Sequence, residues 1–208
     1  MRRLSISPAG LVYLYPELFS RRASIGGFRP LCGGNKVKHD ELAVSAIITT
    51  YMYLNKAGLV ALSLTRKGLI FKQDYTLVIK TNPYAGRQGY LTRRLIGMRQ
   101  GAAAELRHLV ADRVEVDDPN RYILGQIYSY DIRGSVAAPG GRVYCQAVRN
   151  LQPEAYSLRR ILDLYRMQRP RLYHAMVSDA KSALSSMEKK REVDYDADFD
   201  FEVDFDDD

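Results

Sequence analysis

This chain of 208 residues has no tryptophan, two cysteines and three histidines, and each scarcity removes a class of chemistry. Cys32 and Cys145 stand far apart, with neither the close spacing of a metal knuckle nor that of a redox dithiol. Two such thiols suit a reduced intracellular setting, and they also allow one bridge between them. His39, His108 and His174 are scattered, none with a second histidine, cysteine or carboxylate at metal-ligand spacing, so no metal ligand is assigned. Long apolar runs are missing too. Residues 11–15 are apolar but stop at Pro16, far short of the roughly 20 residues a membrane-crossing helix needs. The basic start, Met1-Arg-Arg-Leu, lacks the apolar core of a signal peptide. The expectation is a cytoplasmic protein with no transmembrane segment, peripheral to a membrane at most.

Catalytic signatures are equally thin. Gly33-Gly-Asn-Lys36 lacks the second glycine spacing and the Ser/Thr of a phosphate-cradling loop. Residues 84–90 form a glycine-bearing loop without a strand-to-helix fingerprint, and Asp112, Glu115, Asp117 and Asp118 read as a solvated turn. No nucleophile stands out with a base to activate it. No catalytic residue and no cofactor site is assigned.

Charge of one sign is absent from two places. The last seventeen residues hold ten of the twenty-four acids and none of the thirty-one lysines and arginines. Thirty-one cations against the remaining fourteen acids leave +17 over residues 1–191, beside −10 over residues 192–208. Through residues 192–206 the acids fall on even numbers and Val193, Tyr195, Ala197, Phe199, Phe201, Val203 and Phe205 on odd ones. An extended strand turns alternate side chains to opposite faces, which would give this tail one apolar and one charged edge. Such a strand docks with its apolar edge in a groove and its acids against arginines, with Tyr195, Phe199, Phe201 and Phe205 as the docking side chains. Alone, the tail carries too much charge to fold and is expected to be disordered.

The other place, free of acids, lies between Asp74 and Glu105, where Lys80, Arg87, Arg93, Arg94 and Arg99 are interspersed with Tyr75, Tyr84 and Tyr90. A second basic run, residues 156–174, sets Arg159, Arg160, Arg166, Arg169 and Arg171 among Tyr165 and Tyr173, opposed only by Asp163. Arginine forks match phosphate geometry and tyrosine rings offer stacking faces, a mixture suited to nucleic acid, single-stranded above all.

Periodicity organises the rest. Residues 1–39 read as an irregular N-terminal segment with a short helix over 9–15. Residues 40–191 form a basic body, and 192–208 the tail. Asp40 is a helix N-cap, Leu42, Ala46, Ile47, Tyr51 and Leu54 recur at helical spacing, and Gly58 ends the helix. Strands are expected over 59–64 and 69–71 around a turn at 65–68, then over 75–81. Helices are expected over 91–98 and 102–112. A strand follows at 114–116, a turn at 117–120, an ambiguous element over 122–130, a loop over 134–141 and a strand over 142–148. Helices over 153–168 and 171–190 close the body. The fold class is α+β: a helix with a β-hairpin, a C-terminal helical pair and the acidic tail.

The segment Leu54-Asn-Lys-Ala-Gly-Leu-Val60, a helix ending in Leu-x-x-x-Gly-Leu-Val that runs into a hairpin with Arg66 and Lys67 at its tip, resembles the helix-and-wing half of winged-helix proteins. That resemblance implies a wing lying on a nucleic-acid backbone and a helix whose C-terminal half faces a groove. The closing Asp204-Phe-Asp-Asp-Asp208 is similar to the acidic tip of bacterial single-stranded-DNA-binding proteins, which docks partners and competes with DNA for the basic body.

The leading expectation is a non-enzymatic nucleic-acid-associated protein, making single-stranded or backbone-only contacts. Arg66, Lys67, Arg87, Arg93, Arg94, Arg159, Arg160, Arg166, Arg169 and Arg171 would meet phosphates, with Tyr84, Tyr90, Tyr165 and Tyr173 stacking. One alternative is an assembly or adaptor protein whose acidic tail docks on another subunit or partner, by self-association or otherwise. A peripheral protein on anionic membranes is the other. A hydrophobic slot rimmed by arginines would favour the docked strand, and a continuous basic groove lined by tyrosines would favour nucleic acid.

Overall fold

The computed structural model describes residues 4–30, 32, 34–68, 72–87, 90–110 and 142–197. Helix α1, Pro8–Leu14, opens with Pro8 in its first turn, where a missing N–H costs nothing. The Ser7 hydroxyl caps it by accepting from Gly10 N at 3.0 Å. All seven of its residues are buried, so the short helix expected over 9–15 is part of the core.

Helix α2, His39–Lys56, starts one residue before the expected cap. Lys38 takes the N-cap position without a side-chain bond, and Asp40 and Glu41 fall in the first turn. Gly58 adopts φ +72°, and its N–H donates to Asn55 O at 3.0 Å while Leu59 N donates to Leu54 O at 2.9 Å. This left-handed turn satisfies the last carbonyls and needs a residue without Cβ. Residues 42–54 of α2 are buried without exception. Helix α1 packs on one flank, the C-terminal helices on others, and the first strand leaves from its end. Three of its buried hydroxyls find acceptors: Ser45 on Phe19 O at 2.8 Å, Thr50 on Ala46 O at 2.7 Å and Tyr51 on Leu91 O at 2.9 Å.

Three antiparallel strands follow: β1 Val60–Lys67, β2 Gln73–Lys80 and β3 Ala103–Glu105, in the order β1-β2-β3. Val60 stands opposite Lys80, Lys67 opposite Gln73, and Leu77 opposite Glu105. Val60, Leu62, Thr76, Val78 and Lys80 turn to the core face, on the period of two that a half-buried sheet requires. The expected turn at 65–68 is corrected, because β1 runs on through Lys67. The expected strand over 69–71 lies outside the described residues.

Two helices expected downstream are also corrected. The expected helix over 91–98 is a 3-10 helix, Tyr90–Leu95, preceded by another, Pro83–Arg87. Lys80 supplies the reason. It is only 4% exposed, and its Nζ donates to Leu95 O at 2.7 Å and Met98 O at 2.8 Å, closing the end of that tight helix. The helix expected over 102–112 is instead β3 followed by a single turn, α3, Leu106–Leu109. Gly101 at φ +81° lets the chain fold onto the β2 edge, with Gly101 N on Lys80 O and Lys80 N on Ala102 O.

The C-terminal part holds α4 Arg142–Asn150, α5 Gln152–Gln168 and α6 Pro170–Ala197. The strand expected over 142–148 is therefore helical. Cys145 and Val148 sit one turn apart, and Tyr15 fixes this helix by donating from its hydroxyl to Val148 O. Burial and the nearby Glu154 push the Tyr15 hydroxyl up to about 12. Helix α6 outruns its expected end at 190 and carries the first six residues of the alternating tail as helix. In a helix, residues two apart point about 200° from each other, so over 192–197 the backbone does not segregate acids from apolar residues. The elements expected at 114–116, 117–120, 122–130 and 134–141, and the tail from 198 onward, lie outside the described residues.

Of the two states open to the thiols, the structure has the bridge: Cys32 and Cys145 are joined across 113 residues, with Cα atoms 5.4 Å apart. The bond ties the loop before α2 to α4. Protein purified without reductant should show no alkylatable thiol by mass spectrometry. Cys145→Ser should lower the melting temperature by an amount equivalent to about 2–5 kcal/mol. A free thiol at both positions, or an unchanged melt, would count against a structural bridge.

Candidate functional site

A groove of about 950 Å³ lies between the start of α2, the preceding segment 17–21, and helices α5 and α6. Its floor is apolar, built from Phe19, Val44, Ile48, Leu162, Val177 and Leu184. These residues lie together because α2 offers Val44 and Ile48 at i,i+4, while α6 offers Val177 and Leu184 two turns apart. The two walls differ in charge. Segment 17–21 and the first turn of α2 supply Glu17, Asp40 and Glu41 with Arg21, and α5 and α6 supply Arg159, Asp163, Arg166, His174 and Lys181.

Much of this charge is matched locally. Arg21 grips Glu41 at 2.5 Å, and its hydrogen bonds hold that carboxyl below the usual carboxylate range. Arg159 pairs with Asp163 at 3.0 Å and donates to Leu18 O, which pins α5 to the 3-10 turn Pro16–Leu18. Glu17 accepts from Asn35 N at 2.6 Å. Arg166 and Lys181 are exposed and have no ion pair among the described residues. Tyr173 sits edge-on to His174 at the groove wall, ring centroids 5.7 Å apart.

The structure distributes the proposed phosphate-binding residues over several surfaces. Arg66 pairs with Asp74 at 2.9 Å, and Arg171 holds the other oxygen of the same carboxylate at 2.8 Å. Arg171 first, then Arg66, keep Asp74 below its usual range. Lys67 is bound by Glu105, whose second oxygen meets Arg107 at 2.9 Å. The Lys67 hydrogen bond is the main reason Glu105 stays ionised below the ordinary value. Arg94 donates to His108 O at 2.5 Å. Arg169 lies 5.9 Å from the Tyr165 ring, and the Tyr165 hydroxyl, raised by burial, donates to Asn55 Oδ1.

Of the remaining candidates, Arg93, Arg160 and Tyr84 are exposed. Arg87 and Tyr90 belong to the two 3-10 helices, and their side chains lie outside the described set, as do those of Tyr195, Phe199, Phe201 and Phe205. Exposed Arg93 and Tyr84 share one acid-free part of the chain with Arg99 and Ile96, and Gly86 packs directly on Ile96 to join the two 3-10 helices. This is a smaller, basic knuckle, separate in sequence from the groove.

The groove's key members Arg21, Glu41 and Lys181 carry no sequence motif; the amphipathic registers of α2 and α6 could have flagged Glu41 and Lys181, and no local signal marks Arg21. Lys80 looked like part of a phosphate-binding run and is a buried cap. Helix α2 follows the helix-and-hairpin order expected of a winged-helix-like α+β arrangement, but its C-terminal half is buried, so no helix face is left for a nucleic-acid groove. No protein-family model, no curated protein and no solved structure matches this chain. Among the described residues, no helix is long and apolar enough to cross a membrane, and no three His, Cys, Asp or Glu side chains gather as metal ligands would.

One buried acid lies outside the groove. Asp179 on α6 is 1% exposed and accepts from Thr76 N at 2.6 Å, replacing the strand partner that β3 is too short to provide. Burial raises its carboxyl above the ordinary 3.8 despite that hydrogen bond. A raised carboxyl favours the protonated folded state, so its contribution is largest below the ordinary aspartate range and falls as pH climbs through the raised value. Asp179→Asn keeps an acceptor for Thr76 and removes the charge. Its melting temperature relative to the parent should rise between pH 4 and pH 8, on the order of the range that linkage sets. A pH-independent difference between the two proteins would overturn the assignment.

Proposed function

We propose that this chain is a non-enzymatic assembly or adaptor protein whose groove receives an extended segment with alternating acids and apolar side chains. The observation that carries this reading is the groove itself: an apolar floor beside a wall where Arg166 and Lys181 lack intramolecular ion-pair partners among the described residues. A segment of period two can set its apolar edge on the floor and its acids against that wall. Helix α6 both lines the groove and leads into a sequence of this pattern.

The test is a titration by fluorescence anisotropy. Full-length protein carrying Phe199→Ser, Phe201→Ser and Phe205→Ser, so that its own tail does not compete, is titrated with a labelled peptide of residues 198–208. The scrambled peptide of identical composition serves as the control. The ordered peptide should bind at least tenfold more tightly, a difference of about 1.4 kcal/mol, and Arg166→Glu with Lys181→Glu should erase that preference. Equal binding of the two peptides would remove the reading.

A second reading, nucleic-acid association, is supported by the basic knuckle with exposed Arg93, Arg99 and Tyr84 and by the +17 of residues 1–191. In that case a single-stranded oligonucleotide should bind more tightly when residues 192–208 are removed. The logarithm of affinity should fall with that of salt by roughly 0.7 for each phosphate neutralised. Salt-insensitive binding, the same with and without the tail, argues against it.

A further inference from the structure

We infer that the groove's occupant is the acidic tail of a second copy of this chain, exchanged both ways in a symmetric dimer. The inference rests on the docking reading above and adds the partner and the geometry.

The first argument is reach. Helix α6 lines the groove up to Ser185, and its last buried side chain among those described is Leu184. The helix continues to Ala197, which carries the chain about 18 Å beyond Ser185 at 1.5 Å per residue. An extended chain gains at most about 3.6 Å per residue, so Phe199 can stand only about 7 Å from Ala197 and Phe201 about 14 Å. Neither can return along its own helix to the groove of its own body. Only the last few residues, Phe205 among them, could do so. Carried on α6 past the end of its own groove, the tail is placed for another molecule.

Charge and area agree with that partner. Residues 198–208 carry seven acids and no cation. The wall they would meet presents Arg166 and Lys181 with no ion pair among the described residues, together with the ionisable His174. Three phenylalanines at about 150–250 Å² each, exchanged both ways, bury on the order of 900–1,500 Å² before any backbone is counted. The upper part of that span reaches the roughly 1,200–2,000 Å² of stable protein interfaces. Two molecules that each offer one tail and one groove satisfy each other through a two-fold axis, and the arrangement closes at the dimer.

Sedimentation velocity on the full chain tests this. The parent should be a dimer at concentrations on the order of 10 μM, loosening as salt rises. A tail variant, Phe199→Ser/Phe201→Ser/Phe205→Ser, and a groove variant, Arg166→Glu/Lys181→Glu, alter exposed groove residues or the tail, and each should raise the dimer dissociation constant at least tenfold. An equimolar mixture of the two variants keeps one intact tail and one intact groove. It should form a heterodimer tighter than either homodimer. A parent that stays monomeric, a dimer indifferent to both variants, or a mixture no tighter than its components would each overturn the exchange. Should the ordered peptide still bind in those cases, the docking reading stands and only the second copy is excluded as its source. Should the peptide fail, the docking reading falls, whatever the oligomeric state.

Discussion

Helix α2 has no water-facing side over thirteen consecutive residues, and the rest of the molecule is arranged by that constraint. A helix rich in Val, Ile and Thr loses side-chain freedom in the helical state and is weak in isolation, so burial on all sides must hold it. That burial recruits α1 from the N-terminal segment, the C-terminal helices and the root of β1. It also decides where function can lie. A winged-helix protein reads a groove with an exposed helix, whereas here the corresponding helix is enclosed. What remains open is the seam where α2 begins, and the groove forms there between its first turns and the paired helices α5 and α6.

A second consequence concerns charge. A surplus of cations over residues 1–191 suggests a broad polyanion surface when read as a sum, but the structure distributes it. Asp74 holds Arg66 from the facing strand and Arg171 from α6, Glu105 joins Lys67 and Arg107, and Lys80 turns its ammonium inward to close a 3-10 helix. Exposed pairs of this kind are worth about 0–1 kcal/mol each, so they matter less for stability than for occupancy. An arginine already shared with a carboxylate is a poorer phosphate ligand than a free one. In the groove, Arg166 and Lys181, which have no ion pair among the described residues, therefore weigh more than the arginines held by Asp74.

What could be read in advance was what repeats locally. The α2 register, the Gly58 stop, the pairing of strands after it and the C-terminal helical pair all follow from short-range patterns, and the α+β class follows from them. Residues 142–148 misled because Val, Tyr and Val suit a strand, while the contacts that decide for helix, the Cys145 bridge and the Tyr15 bond to Val148, come from more than a hundred residues away. Residues 102–105 misled for a similar reason, since small alanines favour helix until Gly101 and the free edge of β2 claim them. Of the groove, the arginines on α5 were visible as a run. Its opposite wall was not, because Arg21 and Glu41 meet only after the N-terminal segment has folded over α2.

The same limit applies to the tail. Its period of two is a strand signal only where the chain is extended, and α6 overrides it as far as Ala197, because a helix already running costs little to continue and its nucleus has been formed upstream. The alternation through 192–197 is thus not expressed as two faces, and the pattern can act only in residues 198–208. Those residues still contain three phenylalanines and seven acids, enough for one edge of each kind. Extending the helix also starts them about 18 Å of helix beyond Ser185. A tail meant only to screen its own arginines would gain from starting early and staying close. A helical spacer of about three turns past Ser185 does the opposite, and the proposed exchange rests on that spacer as much as on the charge.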